Sequence, residues 1–203
     1  MPPPVITAVL VVVDIQNDFC SGGSLAVPDA EAVLPVVNRL MDDFQRVVVT
    51  QDWHPPGHVS FASSHPGHPV FSRITLPSGE QVLWPDHCVA DTHGAALHPG
   101  LVVPAHAAVV RKGVQGNIDT YSAFLTNDPH TAEGLDTILQ SSNTHEIVLA
   151  GLATDYCILH TALDGRARGY DVTVIESACR GIDLDGSLAQ AWRQLERAGV
   201  RRA

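Results

Sequence analysis

The chain has 203 residues, enough for one domain with a sizeable core. Its 45% hydrophobic and 17% charged residues exclude a disordered chain. A formal charge of −10 argues against nucleic acid or an anionic membrane as partner, since both repel it, and fits a small-molecule substrate.

The prolines at 2 to 4 form a non-helical lead-in. The opening residues show no basic leader, and the apolar run that follows is too short to span a bilayer, so the expected location is the cytoplasm. That run, residues 8–13, is mostly β-branched and ends at Asp14. Such a run is the pattern of a strand buried on both faces, hence of a parallel sheet. A helix over 29–44, with Val33, Val36, Val37, Leu40 and Met41 facing inward, leads to a second strand over 46–50, a right-handed βαβ unit. Residues 51–106 are irregular, rich in Pro, Gly and Ser, and hold most of the eleven histidines. A stretch this long without periodicity reads as a functional insert in a single domain of 1–203.

A third strand, 107–111, ends beside Lys112, and a loop and a short helix at about 134–141 follow. The apolar run 147–150 is a fourth strand, broken by Gly151, and a helix begins directly after it. Thr154 or Asp155 is a plausible N-cap there, which puts Cys157 in the first turn. Free N–H groups and the helix dipole would favour a thiolate at that place. A fifth strand over 171–175, a helix over 184–197 and a C-terminal stub that could add a sixth strand complete the chain. The expected fold is three-layer α/β/α around a mostly parallel sheet of five or six strands.

In such sheets ligands bind beyond the carboxyl ends of the strands. Asp14, Asp52 with His54, Lys112 and Cys157 all stand at those ends. A lysine beside a thiol and an aspartate able to take its proton would make an activated nucleophile. Asp52, His54, His58 and His87 offer one carboxylate and several imidazoles, a set suited to Zn²⁺, Mn²⁺ or Fe²⁺. His65, His68, His93 and His98 read as surface residues. The four cysteines, at 20, 88, 157 and 179, lack CxxC spacing and read as reduced thiols. No GxGxxG follows the first strand, which weighs against a dinucleotide-binding oxidoreductase.

The segments DIQNDFCSGGSLAV, TQDWHPPGH, LWPDHCV, VVRKG with DTYSAF, and GLATDYCILHTALDGRARGYDV resemble the nicotinamidase/pyrazinamidase branch of the isochorismatase-like cysteine hydrolases. The resemblance spans residues 8–183. It implies Asp14, Lys112 and Cys157 as catalytic triad, and Asp52, His54 and His87 as ligands of one divalent ion, zinc first, with His58 as a fourth. It also implies a cis peptide at Leu152–Ala153, an oxyanion hole from the Ala153 and Cys157 amides, and a substrate site formed by Leu152, Ala153 and the aromatic walls Phe19 and Trp84. The implied reaction is hydrolysis of nicotinamide, and of pyrazinamide, to the acid and ammonia through a thioester. Relatives that hydrolyse carbamoyl or ureido amides or vinyl ethers usually lack the DWH and WPDHC set, and a non-catalytic metal-binding module has no need of the triad. Oligomeric state, a homo-oligomer included, stays open.

Overall fold

The apolar run at the start of the chain forms β1 (Val9–Val13), whose five side chains are all buried. The computed structural model describes residues 8–124, 134–141 and 144–203; the proline lead-in at 2–4 and the end of the loop after Lys112 lie outside the described residues. The main sheet adds β2 (Val47–Asp52), β5 (Ala108–Lys112), β6 (Glu146–Leu152), β7 (Asp171–Arg180) and β8 (Arg201–Arg202), in the order β5-β2-β1-β6-β7-β8, with every pairing parallel. Between β2 and β5 lies an antiparallel hairpin, β3 (Arg73–Leu76) with β4 (Gly79–Val82), in a separate two-stranded sheet.

The helices are α1 (Leu34–Asp43), α2 (Leu135–Ser141), α3 (Leu159–Ala167) and α4 (Ser187–Arg197). The chain steps from β1 to β2 in one direction along the sheet and from β6 to β7 in the other. Right-handed crossovers therefore put α1 and α3 on opposite faces, giving three layers. The direction reverses between β1 and β6, and a crevice opens beyond the carboxyl ends of strands at such a point.

Several expected boundaries move, each for a physical reason. The first helix does not begin at Asp29, which adopts left-handed φ; a 3₁₀ turn, Ala30–Val33, precedes α1, whose first turn accepts Pro35. Gly151 does not break the fourth strand but lies within it, at φ +120°, where a Cβ would stand 2.1 Å from the Val13 carbonyl oxygen. The fifth strand runs on to Arg180 because β7 bulges outward at the exposed Glu176 and Ser177 and rejoins β6 at Gly151↔Cys179. The C-terminal stub does pair, as the short edge strand β8.

Candidate active site

Beyond Val12 and Val49 the ladder between β1 and β2 ends. The chain leaves β1 through Asp14, at φ +50°, and its N–H donates to the Thr50 hydroxyl at 3.2 Å. That hydroxyl donates in turn to Asp14 Oδ1 at 2.6 Å. Lys112, at the end of β5 and fully buried, extends Nζ to within 2.8 Å of Asp14 Oδ2 and 3.2 Å of Cys157 Sγ, and forms a third, short contact with Asp52 Oδ1. The structure thus brings Asp14, Lys112 and Cys157 into one buried cluster. Burial raises the Asp14 carboxyl to about 6, although the Lys112 charge pulls it down. Burial works against the Lys112 ammonium, yet Asp14 and Asp52 outweigh it and drive its pKa up.

Cys157 sits in a single π turn, Thr154–Ile158, that joins β6 to α3. The Tyr156 and Ile158 N–H groups on either side of it both donate to the Ala153 carbonyl at 3.1 Å. The Leu152–Ala153 peptide is cis. A resting thiolate is not what this environment favours. Burial pushes the thiol well above its ordinary range against the pull of Lys112, and a hydrogen bond to Asp14 holds the proton on sulfur. Desolvation outweighs the dipole of so short a turn. Neither Thr154 nor Asp155 caps the helix; the Asp155 carboxylate instead accepts the N–H groups of Ile182 and Asp183, at 3.0 and 2.8 Å, and the Ser187 hydroxyl.

Asp52, His54 and His87 are buried with one ligand atom from each within 4.8 Å of the others. His54 Nδ1 donates to the Gly113 carbonyl at 2.9 Å and His87 Nδ1 to the Pro85 carbonyl at 2.8 Å. Each ring then turns a bare Nε2 lone pair inward, as metal-binding histidines do when a carbonyl behind the ring holds the other N–H. Burial lowers the His54 imidazole to about 4 and depresses His87 as well, so both are neutral donors at pH 7. Burial works against the Asp52 carboxylate, and the charge and hydrogen bond of Lys112 hold its pKa below the ordinary range. These residues fit a divalent cation.

His58 stands beside this trio, within ligand distance of His54 and Asp119. Its ring stacks on His54 with centroids 4.2 Å apart, but Nδ1 accepts the Ser60 N–H at 3.3 Å and lies 2.7 Å from the Ser60 hydroxyl, and Nε2 donates to the Ile118 carbonyl at 3.2 Å. Both nitrogens are occupied, and its nearest grouping is with His54 and Asp119. Another cluster combines Cys20, Glu31 and His98. His98 is half-buried rather than on the surface, and its Nδ1 accepts the Gly100 N–H at 3.0 Å.

Phe19 packs beside His87 at 5.5 Å, and Trp84 stands edge-on to Tyr156 at 4.8 Å; Leu152 and Ala153 lie buried at the end of β6. Sequence reasoning overlooked two members of this wall, Tyr121 and Tyr156, whose rings are 5.5 Å apart. The Tyr121 hydroxyl accepts the Trp84 indole N–H at 3.0 Å. The signal lay in DTYSAF and in TDYC, where Tyr156 directly precedes Cys157.

The sequence model of the isochorismatase domain matches residues 8–201. The chain is 47% identical to a nicotinamidase of Acinetobacter baylyi, over 95% of this chain and 90% of that protein. The solved structure of a nicotinamidase pyrazinamidase of Acinetobacter baumannii superposes with a TM-score of 0.91 at 48% identity, covering 97% of this chain and 95% of the other. A pyrazinamidase of Pyrococcus horikoshii in complex with zinc superposes with a TM-score of 0.80 at 30% identity, covering 97% and 98%.

Proposed function

The chain belongs to the isochorismatase family, in its nicotinamidase/pyrazinamidase branch, and we propose that it hydrolyses nicotinamide to nicotinate and ammonia with Cys157 as nucleophile. The observation that carries this reading is the contact of one buried ammonium, Lys112 Nζ, with both Asp14 and the Cys157 sulfur at the carboxyl ends of the strands. The same residues serve pyrazinamide, a carboxamide on a ring of the same size.

Asp14 accepts the thiol proton, and its raised pKa suits it to give that proton back near neutral pH. Lys112 offsets the negative charge that passes between the carboxylate and sulfur. The thiolate attacks the carboxamide carbon, and the Ala153 and Cys157 amides receive the oxyanion. Asp14 then protonates the departing nitrogen, ammonia leaves, and a thioester to Cys157 remains. Asp14 next takes a proton from water as the water attacks that thioester; nicotinate leaves and the thiol re-forms. Phe19, Trp84, Tyr121 and Tyr156 enclose the pyridine ring and exclude bulk water. Asp52, His54 and His87 would hold the divalent ion, zinc first among Zn²⁺, Mn²⁺ and Fe²⁺ on the strength of the zinc-bound relative. That ion supplies a Lewis acid for the lone pair of the ring nitrogen.

No helix among the described residues is long and apolar enough to cross a membrane. The test is ammonia release from nicotinamide by purified protein, before and after chelation and with metal restored. Turnover lost and regained supports both the reaction and the metal centre. Release from neither nicotinamide nor pyrazinamide, with zinc present, overturns the reading.

A further inference from the structure

Asp52 is the last residue of β2, and its neighbours on the two sides differ in kind. On the β5 side the ladder continues through Asp52↔Lys112, and the Trp53 N–H donates to the Lys112 carbonyl at 2.9 Å. On the β1 side the ladder has already stopped, at Val12↔Val49. The Gln16 side chain enters that gap. Its Oε1 accepts the Asp52 N–H at 2.8 Å, and its Nε2 donates to the Asp52 carbonyl at 2.8 Å. One amide thus satisfies both polar groups of the Asp52 peptide unit, as an adjacent strand would. Nε2 also donates to the Ala95 carbonyl at 2.8 Å, and Gln16 is fully buried.

We propose that Gln16 is a positioning residue for the metal centre, its amide standing in for the missing strand and fixing the backbone from which the Asp52 carboxylate reaches the ion. This rests on the reading that Asp52, His54 and His87 hold that ion. Asp52 is the one ligand on the main sheet, and its other oxygen faces Lys112. A shift of its backbone would move the carboxylate relative to the two imidazoles and to the ammonium together. Outer partners of this kind typically contribute about 10- to 100-fold to metal affinity.

The experiment measures zinc affinity of the full chain by competition with a chromogenic chelator, together with the thermal midpoint of the metal-free protein. The variants are Gln16→Met, Gln16→Glu and Gln51→Met. Gln51 is a buried neighbour whose Nε2 donates to the same Ala95 carbonyl, at 3.0 Å, without engaging Asp52 through that amide. Gln16→Met should weaken zinc binding by about 10- to 100-fold, with turnover recovered at excess zinc. Gln51→Met should lower the thermal midpoint and leave zinc affinity unchanged. If Gln16→Met does not fold, Gln16→Glu carries the test: it keeps an acceptor for the Asp52 N–H but faces two carbonyl oxygens with a carboxylate, and should weaken zinc binding in the same direction. Zinc affinity equal to that of the unaltered chain in a folded Gln16 variant would overturn the proposal. Failure of the unaltered chain to take up zinc would remove the metal centre itself, and this inference with it.

Discussion

Two clusters in this molecule look alike when only residue types are counted. Asp52, His54 and His87 form one; Cys20, Glu31 and His98 form the other, and each gathers three metal-binding side chains within the same 4.8 Å span. Their second neighbours separate them. In the first, each imidazole gives its Nδ1 proton to a backbone carbonyl, so Nε2 is a bare donor. In the second, His98 Nδ1 accepts an N–H, so a neutral ring carries its proton on Nε2. Glu31 Oε1 already accepts the Ser21 N–H at 2.8 Å, and burial pushes the Cys20 thiol up to about 11. The first cluster presents two bare imidazole nitrogens to a cation, whereas in the second a ring nitrogen and a carboxylate oxygen already accept backbone N–H groups. Ligand type proposes a metal site; the tautomer set by the shell behind it decides.

The sharpest break between the two clusters should come from their cysteines. Cys157→Ala, which removes the proposed nucleophile next to the first cluster, should lower kcat about ten-thousandfold or more while calorimetry still detects nicotinamide binding; Cys20→Ala should leave kcat unchanged. Next come the histidines. Metal analysis of His54→Ala should find the ion content falling toward zero, whereas His98→Ala keeps the content of the unaltered chain. A loss of metal from His98→Ala would make the two clusters equivalent and contradict the tautomer argument.

The pH profile gives a more moderate effect. Asp14 must be ionised to take the thiol proton, and its carboxyl is raised to about 6, so kcat/KM should fall as pH drops through that value, by about tenfold per unit below it. Asp14→Asn should remove that limb along with most of the rate. An acid limb near pH 4 in the unaltered enzyme would mean that burial does not control the base. The smallest effect belongs to the second cluster: Glu31→Gln keeps an oxygen for the Ser21 N–H and should move stability by less than about 0.5 kcal/mol in urea denaturation, with metal content unchanged.

β1 and β6 were legible because both their faces are buried, and each therefore reads as an unbroken apolar run; residues 8–13 and 147–150 are such runs. The hairpin Arg73–Leu76 with Gly79–Val82 was missed, since half of its residues are exposed and no apolar run marks it. Its Pro77-Ser78-Gly79 turn was the available signal. The places of Asp14, Lys112, Cys157, Asp52 and His54 were legible as strand ends, and His87 came from its residue type in LWPDHCV. The tautomer of His58 was not, because it depends on Ser60 and on Ile118, sixty residues away. The state of the Cys157 proton was hidden for a similar reason: sequence shows the start of a helix but not the depth of burial.

Gly151 sets a dimensional tolerance for the whole catalyst. It pairs with Val13, the residue before Asp14, and lies on the strand that leads to Cys157, so it works as a spacer of zero thickness between the two arms that carry the proposed base and nucleophile. A methyl group there would begin 2.1 Å from the Val13 oxygen. Restoring an ordinary C···O contact of about 3.3 Å would part the arms by roughly 1 Å. A misplacement of that size costs about a hundredfold in rate even when every reacting group is present. The gauge of this active site is therefore fixed by an atom the chain leaves out.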